Sequence, residues 1–268
     1  MGRVVAQRLV RSGHEVLCIT RRESVSAKLV RCDLAVPQEL LALLDGHAFD
    51  CVVNLAALID FSAGALERMY AVNVLCPALL ARHCADRSIH LIQASSIAVN
   101  GALTAISVDS AILPVGDYGK SKALAEQLVI ASGVSATIIR FAGIFGNSGD
   151  THLGINRSIG AARGGSVPIL NGAGTALRNY LYVGDAAIMI ERALNARLAG
   201  IYCAAGETLS IAAMLQKVCD QWMPGQVPAL SEGGSGVDQL VLPSPELGGF
   251  RSFTDALKEI DDEDRVAV

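Results

Sequence analysis

Apolar runs and amphipathic segments alternate along the first 141 residues of this chain. The apolar runs are short, as is typical of buried strands, and they lie at 14–19, 28–33, 51–56, 89–94 and 136–141. The segments between them have helical periodicity, at 2–12, 37–44, 66–84 and 118–130. Strands that alternate with helices in this way predict βαβ units, and therefore a doubly wound parallel sheet of the α/β class.

The pattern loosens after residue 146, where glycine, serine and asparagine cluster at 146–149 and again at 231–236. Between these clusters we predict a helix, a short strand at 167–170, a segment at 180–183, a second helix at 185–195 and a strand at 201–204. The change predicts two domains. Residues 1–146 would form the sheet domain, and residues 147–268 a mixed segment in which a small substrate-binding lobe is combined with elements that return to the core.

Composition predicts an aliphatic core and excludes several classes of partner. Hydrophobic residues make up 51% of the chain but aromatic residues only 4%, which suits parallel strands covered by helices on both faces. The net charge of -4 provides no broad basic field, so nucleic acid is not expected as a partner. The seven cysteines include no CxxC pair, which favours reduced, buried thiols over disulfides or a zinc site. No stretch is long and apolar enough to span a membrane, and we interpret the first residues as the start of an amphipathic helix rather than a signal peptide, so we expect a cytoplasmic protein.

The strongest candidates for chemistry are Tyr118 and Lys122, at the start of a predicted helix. A spacing of four places both on one helical face, and an ammonium near a phenol favours the phenolate, so the pair suits general acid–base catalysis. The same spacing also occurs by chance on exposed helices. A strand that ends about 20 residues upstream at Ser95 and Ser96 favours the functional interpretation, because parallel sheets place ligand-binding groups at that edge. Capping of the strand end is the alternative role for the two serines.

Several stretches of the sequence occur in the order in which one enzyme family carries them. They are 2–16, 31–34, 53–57, Asn73, 94–101, Tyr118 with Lys122, 140–146 and 174–187. Together they resemble the NAD(P)-dependent epimerase/dehydratase family, the extended short-chain dehydrogenases, over most of the chain. The resemblance implies a Rossmann-like fold whose dinucleotide-binding core is residues 1–146.

The resemblance also implies a role for individual residues. Tyr118 would be the general acid/base, Lys122 would lower the pKa of Tyr118 and hold the nicotinamide ribose, and Ser96 would bind the reacting oxygen. Hydride would pass between a substrate carbon and the nicotinamide. The other expected cofactor contacts are Gly2, Asp33, Leu34, Leu55, Ala56, Ala57, Asn73, Phe141 and Ile144. The expected substrate contacts are Ser96, Gly143 and Arg178, where Arg178 matches a pyrophosphate-binding arginine; an ordinary surface ion pair is its alternative.

Cofactor preference is indicated by the residues after the first predicted strand. Relatives that prefer NAD carry an acid there for the ribose hydroxyls, whereas this chain has Thr20, Arg21 and Arg22. Two guanidinium groups suit a 2′-phosphate, so we predict binding through Arg21 and Arg22 and a preference for NADP(H) over NAD(H). A solvated basic turn is the alternative.

The chain departs from the family pattern at its beginning. The family starts with a central strand and a Gly-x-x-Gly-x-x-Gly turn, of which only Gly2 has a counterpart. The absent strand would lie between the first and third predicted strands. Its absence predicts either a start codon placed too late, which we favour, or a truncated and impaired protein. Milder departures are Asn100 in place of Tyr, Gly143 in place of Asn and Gly184 in place of Asp.

Three interpretations of function follow. We predict an NAD(P)-dependent oxidoreductase or epimerase that acts on a hydroxyl or ketone, with a nucleotide sugar as its small-molecule substrate. A sterol-like alcohol or a small aldehyde would be another substrate for the same chemistry. The alternative is a non-catalytic nucleotide-binding or scaffold protein, which the absent phosphate-binding turn favours and Ser96, Tyr118 and Lys122 oppose. The resemblance further suggests a homodimer formed by the helices at 66–84 and 118–130.

Overall fold

The computed structural model describes residues 1–20, 29–60, 62, 64–146, 153–234 and 236–266. The chain divides into two compact units. The first unit comprises Met1–Ala102, Ser110–Phe141 and Ala187–Tyr202, and the second comprises Leu103–Asp109, Ala142–Ala186 and Cys203–Val268.

Strands and helices alternate up to residue 141, as the hydrophobic pattern predicts. The elements are α1 (Gly2–Arg11), β1 (Cys18–Thr20), β2 (Leu29–Arg31), α2 (Pro37–Asp45), β3 (Cys51–Asn54), α3 (Leu66–Tyr70), α4 (Cys76–Arg87), β4 (His90–Ser96), β5 (Ala105–Ile106), α5 (Gly116–Ala131) and β6 (Ala136–Phe141). Gly13 follows α1 with a φ of 88°, the left-handed conformation that commonly closes a helix. Pro37 occupies the first turn of α2, where its missing N–H costs no hydrogen bond.

A parallel sheet forms the centre of the first unit, with strands in the order β10-β6-β4-β3, where β10 is Gly200–Ala204. Strands β3 and β4 pair in parallel, and so do β4 and β6. Six of the seven residues of β4 are buried, because helices cover a central parallel strand on both faces. The carboxyl ends of β3, β4 and β6 therefore meet at one edge of the sheet. The α/β class and the Rossmann-like parallel sheet predicted from the sequence are confirmed.

Strands β1 and β2 pair in parallel with each other and form a sheet separate from β3, within the part of the chain that the structure describes. The sequence placed β1 and β3 on either side of an absent family strand. Val52 and Val53 of β3 are only half-buried, although their partners in β4, Leu91 and Ile92, are fully buried. A strand paired along one edge only shields its side chains less than a strand paired along both.

The predicted helix at 66–84 is one continuous helix with a π-helical turn at Ala71–Leu75 between α3 and α4. Pro77 follows this turn. Proline has no N–H to donate and its ring clashes with the carbonyl four residues earlier, so an added residue in the preceding turn relieves both problems. The turn directs Asn73 into the core, where it is fully buried.

Three cysteines of the first unit contribute to one aliphatic cluster beside the sheet. Cys32, Cys76 and Cys84 are buried there among leucine, isoleucine and valine side chains. Burial raises the pKa of the Cys76 and Cys84 thiols to about 12. These thiols therefore stay protonated and behave as small hydrophobic side chains, as interpreted from the sequence.

The second unit contains the shorter and less regular elements. They are β7 (Gly143–Phe145), α6 (Gly154–Arg163), β8 (Ile169–Asn171), β9 (Leu177–Tyr182), α7 (Val183–Asn195, which continues into the first unit), β11 (Glu207–Ser210), α8 (Ile211–Trp222), β12 (Ala229–Ser231), β13 (Leu240–Val241) and α9 (Phe253–Val266). Strand β9 pairs in parallel with β7 and antiparallel with β11. The sequence pattern did not predict β7, β11 or α8.

Aromatic rings gather in the core of the second unit, in contrast to the aliphatic core expected from the composition. The ring centroids of Phe145 and Phe253 are 4.8 Å apart. Tyr180 lies 5.6 Å from Phe253, and Tyr182 lies 5.8 Å from Phe145. The few aromatic side chains of the chain thus stabilise the smaller elements, where each ring buries a large area.

Within the described ranges, we find no helix with the length and hydropathy needed to cross a lipid bilayer.

Candidate functional site

The predicted site of chemistry lies at the carboxyl edge of the parallel sheet of the first unit. Strand β4 ends at Ser96, β6 ends at Phe141, and β3 is followed by Leu55. Because β3, β4 and β6 are parallel, these positions share one edge, where open α/β sheets bind ligands.

Three side chains of this edge converge. The Tyr118 hydroxyl, from the first turn of α5, shares a hydrogen bond with the Ser96 hydroxyl. The Lys122 Nζ lies 6.0 Å from the centroid of the Tyr118 ring. Lys122 is 2% exposed, and its Nζ donates a 3.0 Å hydrogen bond to the Ala94 carbonyl oxygen of β4. The structure thus places a phenol, a hydroxyl and a buried ammonium side by side.

Burial is the largest effect on the pKa values of Lys122 and Tyr118. It lowers the pKa of Lys122 to about 8, although Glu126 and Cys76 act to raise that pKa. Burial also raises the pKa of Tyr118, and the hydrogen bond with Ser96 acts in the opposite direction. The direction for Tyr118 differs from the lowering that the sequence led us to expect from Lys122, because the loss of water around the phenol is the larger effect here.

The close approach of α5 to the end of β4 depends on a glycine. Ser96 caps the short 3₁₀ turn Ile97–Asn100 by accepting a 3.2 Å hydrogen bond from the Ala98 N–H. A Cβ atom on Gly119 would lie 2.7 Å from the Ala98 carbonyl oxygen. Glycine between Tyr118 and Lys120 therefore lets the helix touch the loop that carries Ser96. The capping role considered for the serines is real at Ser96 and coexists with its contact to Tyr118.

Ser95 and Ser96 have different partners, as expected for successive residues of a strand. The Ser95 hydroxyl donates a 2.5 Å hydrogen bond to Glu126 Oε1. Arg140 Nε and Nη2 donate to the same carboxylate, at 3.0 Å to Oε1 and 2.8 Å to Oε2. This buried network is not among the features predicted from the sequence. Two signals were present in the sequence: Glu126 lies four residues after Lys122, and Arg140 interrupts an apolar strand.

Asn73 holds the segment after β3 in place, and its side-chain amide bonds the protein rather than facing the space where a ligand would bind. Its Oδ1 accepts a 2.8 Å hydrogen bond from the Leu58 N–H, and its Nδ2 donates to the Leu58 carbonyl at 2.9 Å. The same Nδ2 donates to Ser121 Oγ at 3.1 Å. Asn73 thereby ties the segment after β3 to α5, and no part of it is exposed.

The other predicted cofactor contacts of the first unit differ in accessibility. Ala57 is exposed, Leu55 and Ala56 are half-buried, and Phe141 is buried. Leu34 packs beside the aliphatic core cluster. Gly2 begins α1, and open space surrounds the position that its Cβ would occupy.

Of the charged residues predicted to bind the cofactor, Asp33 lies in the described structure. The Asp33 carboxylate accepts hydrogen bonds from Arg68 Nη2 at 2.6 Å and from the Ala35 N–H at 3.0 Å. Arg21 and Arg22, on which the NADP(H) prediction depends, lie outside the described residues.

Gly143, Ile144 and Arg178 belong to the second unit. Gly143 and Ile144 are half-buried in β7, and a Cβ on Gly143 would lie 3.3 Å from the Asn179 carbonyl oxygen. Arg178 Nη1 donates to the carbonyl oxygens of Leu177 at 2.8 Å and Val237 at 2.5 Å. Among the described residues Arg178 forms no ion pair with a carboxylate, in contrast to the alternative considered from the sequence.

Two departures from the family pattern have structural explanations. Asn100 Nδ2 donates to the carbonyl oxygens of Ser110 at 3.2 Å and Ala111 at 3.0 Å, so this residue fixes the segment before α5. A Cβ on Gly184 would lie 2.4 Å from the Tyr182 ring, so an aspartate in its place requires the ring to move.

The described geometry agrees with comparisons to known proteins. Residues 1–205 match the profile of the NAD dependent epimerase/dehydratase family. The chain is 31% identical over 170 residues to dTDP-4-dehydrorhamnose reductase from Mycolicibacterium smegmatis, a match that covers 61% of this chain and 49% of the relative. It is 30% identical over 209 residues to dTDP-6-deoxy-L-talose 4-dehydrogenase (NAD(P)(+)) from Kitasatospora kifunensis, covering 69% of this chain and 64% of that protein.

The matched stretches span about half to two-thirds of the length of these curated relatives. Among solved structures, the chain is similar to the Bordetella bronchiseptica enzyme WbmG in complex with NAD and UDP. The TM-score is 0.81 at 19% identity, with 99% of this chain and 92% of that chain covered. At this identity the likeness concerns the fold, and it agrees with the parallel sheet described above.

Proposed function

Because the chain belongs to the NAD dependent epimerase/dehydratase family, we propose that it is an NAD(P)-dependent oxidoreductase or epimerase that acts on a hydroxyl or ketone of a nucleotide sugar. The observation that carries the proposal is the convergence of Ser96, Tyr118 and Lys122 at the carboxyl edge of the sheet. A scaffold protein has no need of a phenol, a hydroxyl and a buried ammonium in one place.

In this proposal Tyr118 moves the proton and Ser96 orients the oxygen. For oxidation of an alcohol, the Tyr118 oxygen takes the hydroxyl proton while the carbon loses hydride; for reduction of a ketone, Tyr118 returns a proton to the oxygen. The Ser96 hydroxyl donates to that same oxygen and holds it against the phenol, consistent with its contact to Tyr118. When bound, a nicotinamide dinucleotide supplies the acceptor or donor of the hydride.

The residues of the first unit fit such a dinucleotide. Small side chains at Ala56 and the exposed Ala57 allow close approach beside the end of β3, in the loop that Asn73 clamps. Lys122 uses one of the three donors of its ammonium on Ala94, which leaves capacity for ribose hydroxyls. Gly2 lies at the start of α1, where helix N–H groups favour an anion. The proposal includes a preference for NADP(H), because the guanidinium groups of Arg21 and Arg22 suit a 2′-phosphate.

Arg178 and the curated relatives support a nucleotide sugar as substrate. A guanidinium that bonds only carbonyl oxygens in the described chain retains its full charge for a diphosphate. Both relatives described above are named for reactions of dTDP-sugars at position 4. We therefore propose residues 147–268 as the substrate-binding lobe, with Ser96, Gly143 and Arg178 as substrate contacts.

The decisive experiment measures turnover of dTDP-4-dehydrosugars and UDP-sugars with NADH and NADPH, for the wild type and Tyr118→Phe. Loss of the phenol hydroxyl should lower kcat by roughly 100-fold or more, since a positioned acid–base group contributes at least that much. Cofactor affinity, followed by fluorescence titration, should stay within about threefold, because Phe keeps the ring and leaves Lys122 in place.

Tyr202→Phe is the matched control, because within the described part of the chain its hydroxyl bonds only the Ala199 carbonyl, on the surface. Retained turnover in Tyr118→Phe would remove Tyr118 from the acid–base role. If neither cofactor quenches or enhances the fluorescence of the wild-type protein, the non-catalytic alternative replaces this proposal.

A further inference from the structure

Glu126 joins three elements around the proposed centre. It lies on α5, one helical turn after Lys122, and its carboxylate binds Ser95 of β4 and Arg140 of β6. Ser95 and Arg140 are direct partners in the register of these two parallel strands. One carboxylate therefore fastens the helix that carries Tyr118 and Lys122 to the two strands whose ends form the candidate site.

The contact between Glu126 and Ser95 lies next to the groups of the proposed centre. Ser95 lies between Ala94, whose carbonyl accepts from Lys122, and Ser96, whose hydroxyl bonds Tyr118. A displacement of Ser95 by loss of Glu126 would move both of those contacts together. The pair Glu126 and Arg140 is almost completely buried, with side chains 4% and 3% exposed, so its geometry is held without competition from water.

Charge balance connects the same network to Lys122. The groups that face the Lys122 ammonium are Tyr118 and Glu126 from α5, the Cys76 thiol from α4 and the Ala94 carbonyl from β4. The Arg140 side chain of β6 binds the carboxylate of Glu126. Glu126 acts to raise the pKa of Lys122 against the effect of burial. Arg140 forms a buried ion pair with the same carboxylate, so we expect its cation to offset part of the effect of Glu126 on Lys122.

We propose that Glu126, held by Arg140, is a positioning residue of the acid–base centre: it fixes Ser95 beside the reacting groups and keeps Lys122 charged. This inference rests on the proposed function for its catalytic consequence. Its electrostatic part concerns Lys122 alone and can be measured in the absence of any substrate.

The test follows the titration of Lys122 by ¹³C NMR of lysine Cε in the full chain. The chain has five lysines, so the Lys122 signal is assigned by its loss in Lys122→Met. Starting from a midpoint near the pKa of about 8, Glu126→Gln should lower the midpoint, because the ammonium then loses the carboxylate that acts to raise its pKa. Arg140→Met should raise it, because the carboxylate is no longer neutralised.

Removal of one partner of a buried ion pair is strongly destabilising. The double variant E126Q/R140M, which removes both charges, therefore accompanies the single variants and should return the midpoint towards 8. Glu67→Gln, on the exposed surface of α3, is the matched control and should leave the midpoint unchanged. If Glu126→Gln leaves the midpoint where it is, or if both single variants move it in the same direction, the inference is wrong.

Turnover provides the second measurement. Glu126→Gln should reduce kcat by roughly 10- to 100-fold, as small displacements of reacting groups do, and should shift the pH dependence of kcat to lower pH along with Lys122. Glu126→Asp should recover part of kcat, since it keeps the charge. Unchanged kcat and pH dependence with a shifted NMR midpoint would overturn the positioning role. A wild type without turnover would overturn the proposed function and leave the titration to decide the electrostatic part.

Discussion

At the scale of single residues, Lys122 carries a measurable consequence for stability. Its pKa is about 8 in the folded chain against an ordinary value of 10.5, because burial disfavours the ammonium. Between these values the unfolded chain binds more protons than the folded chain, so the contribution of Lys122 to the free energy of unfolding rises as pH increases from about 8 to 10.5.

We predict that the difference in unfolding free energy between the wild type and Lys122→Met changes with pH. The difference should grow in favour of the wild type by about 2 kcal/mol between pH 7.5 and pH 10, measured by urea unfolding. The buried cysteines and Tyr118, which titrate at high pH, are present in both proteins and cancel in the comparison. A difference that is the same at both pH values would mean that Lys122 is not buried as a charged group.

Residues of this centre were predictable from the sequence to different degrees. Tyr118 and Lys122 could be paired because helical spacing of four is a local property, and Ser96 because an apolar run marks the strand that it ends. Glu126 and Arg140 could not be paired in this way, since their contact depends on how α5 packs against β6. A charged residue within an apolar run indicates burial but does not identify its partner.

At the scale of elements, the contact between α5 and the turn after β4 predicts the effect of one methyl group. Alanine is a better helix former than glycine by about 1 kcal/mol. Gly119→Ala should nevertheless destabilise the chain and lower turnover, because its Cβ would lie 2.7 Å from the Ala98 carbonyl and push α5 away from Ser96. Urea unfolding and steady-state kinetics measure the two effects.

Gly160→Ala in α6 is the matched control, because open space surrounds the position that its Cβ would occupy. This substitution should raise the free energy of unfolding by about 0.5–1 kcal/mol through helix propensity alone. If Gly119→Ala stabilises the chain as much as Gly160→Ala does, the close approach of α5 to the turn is not a constraint.

Elements of the first unit were largely predictable, whereas several in the second unit were not. Strands β4 and β6 are long apolar runs with clear boundaries, and their predicted positions agree with the structure to within about two residues. Strand β7 begins two residues after β6 with no turn signal between them, so one apolar run contains two strands in different sheets. Helix α8 did offer a signal, since Ser210 accepts from the Ala213 N–H as its N-cap.

At the scale of the whole molecule, the helices that carry the proposed centre also present an apolar surface. Leu124 and Leu128 of α5 are 38% and 37% exposed and lie four residues apart on one helical face. Leu75, just before α4, is 42% exposed, and α4 packs against α5. A single exposed leucine is ordinary in a folded protein, but leucines on two packed helices form the kind of surface that proteins bury on association.

We predict a homodimer formed through this leucine surface, as the sequence suggested for the same two helices. The double variant L124E/L128E should be monomeric at concentrations where the wild type is dimeric, because four carboxylates would have to enter the interface without partners. Light scattering coupled to size exclusion measures the mass directly. Val10→Glu, at a residue of α1 that is 50% exposed, changes an apolar side chain outside the surface and should leave the mass unchanged. A wild type that elutes with the mass of one chain at every concentration would rule this dimer out and would leave Leu75, Leu124 and Leu128 as solvent-exposed side chains.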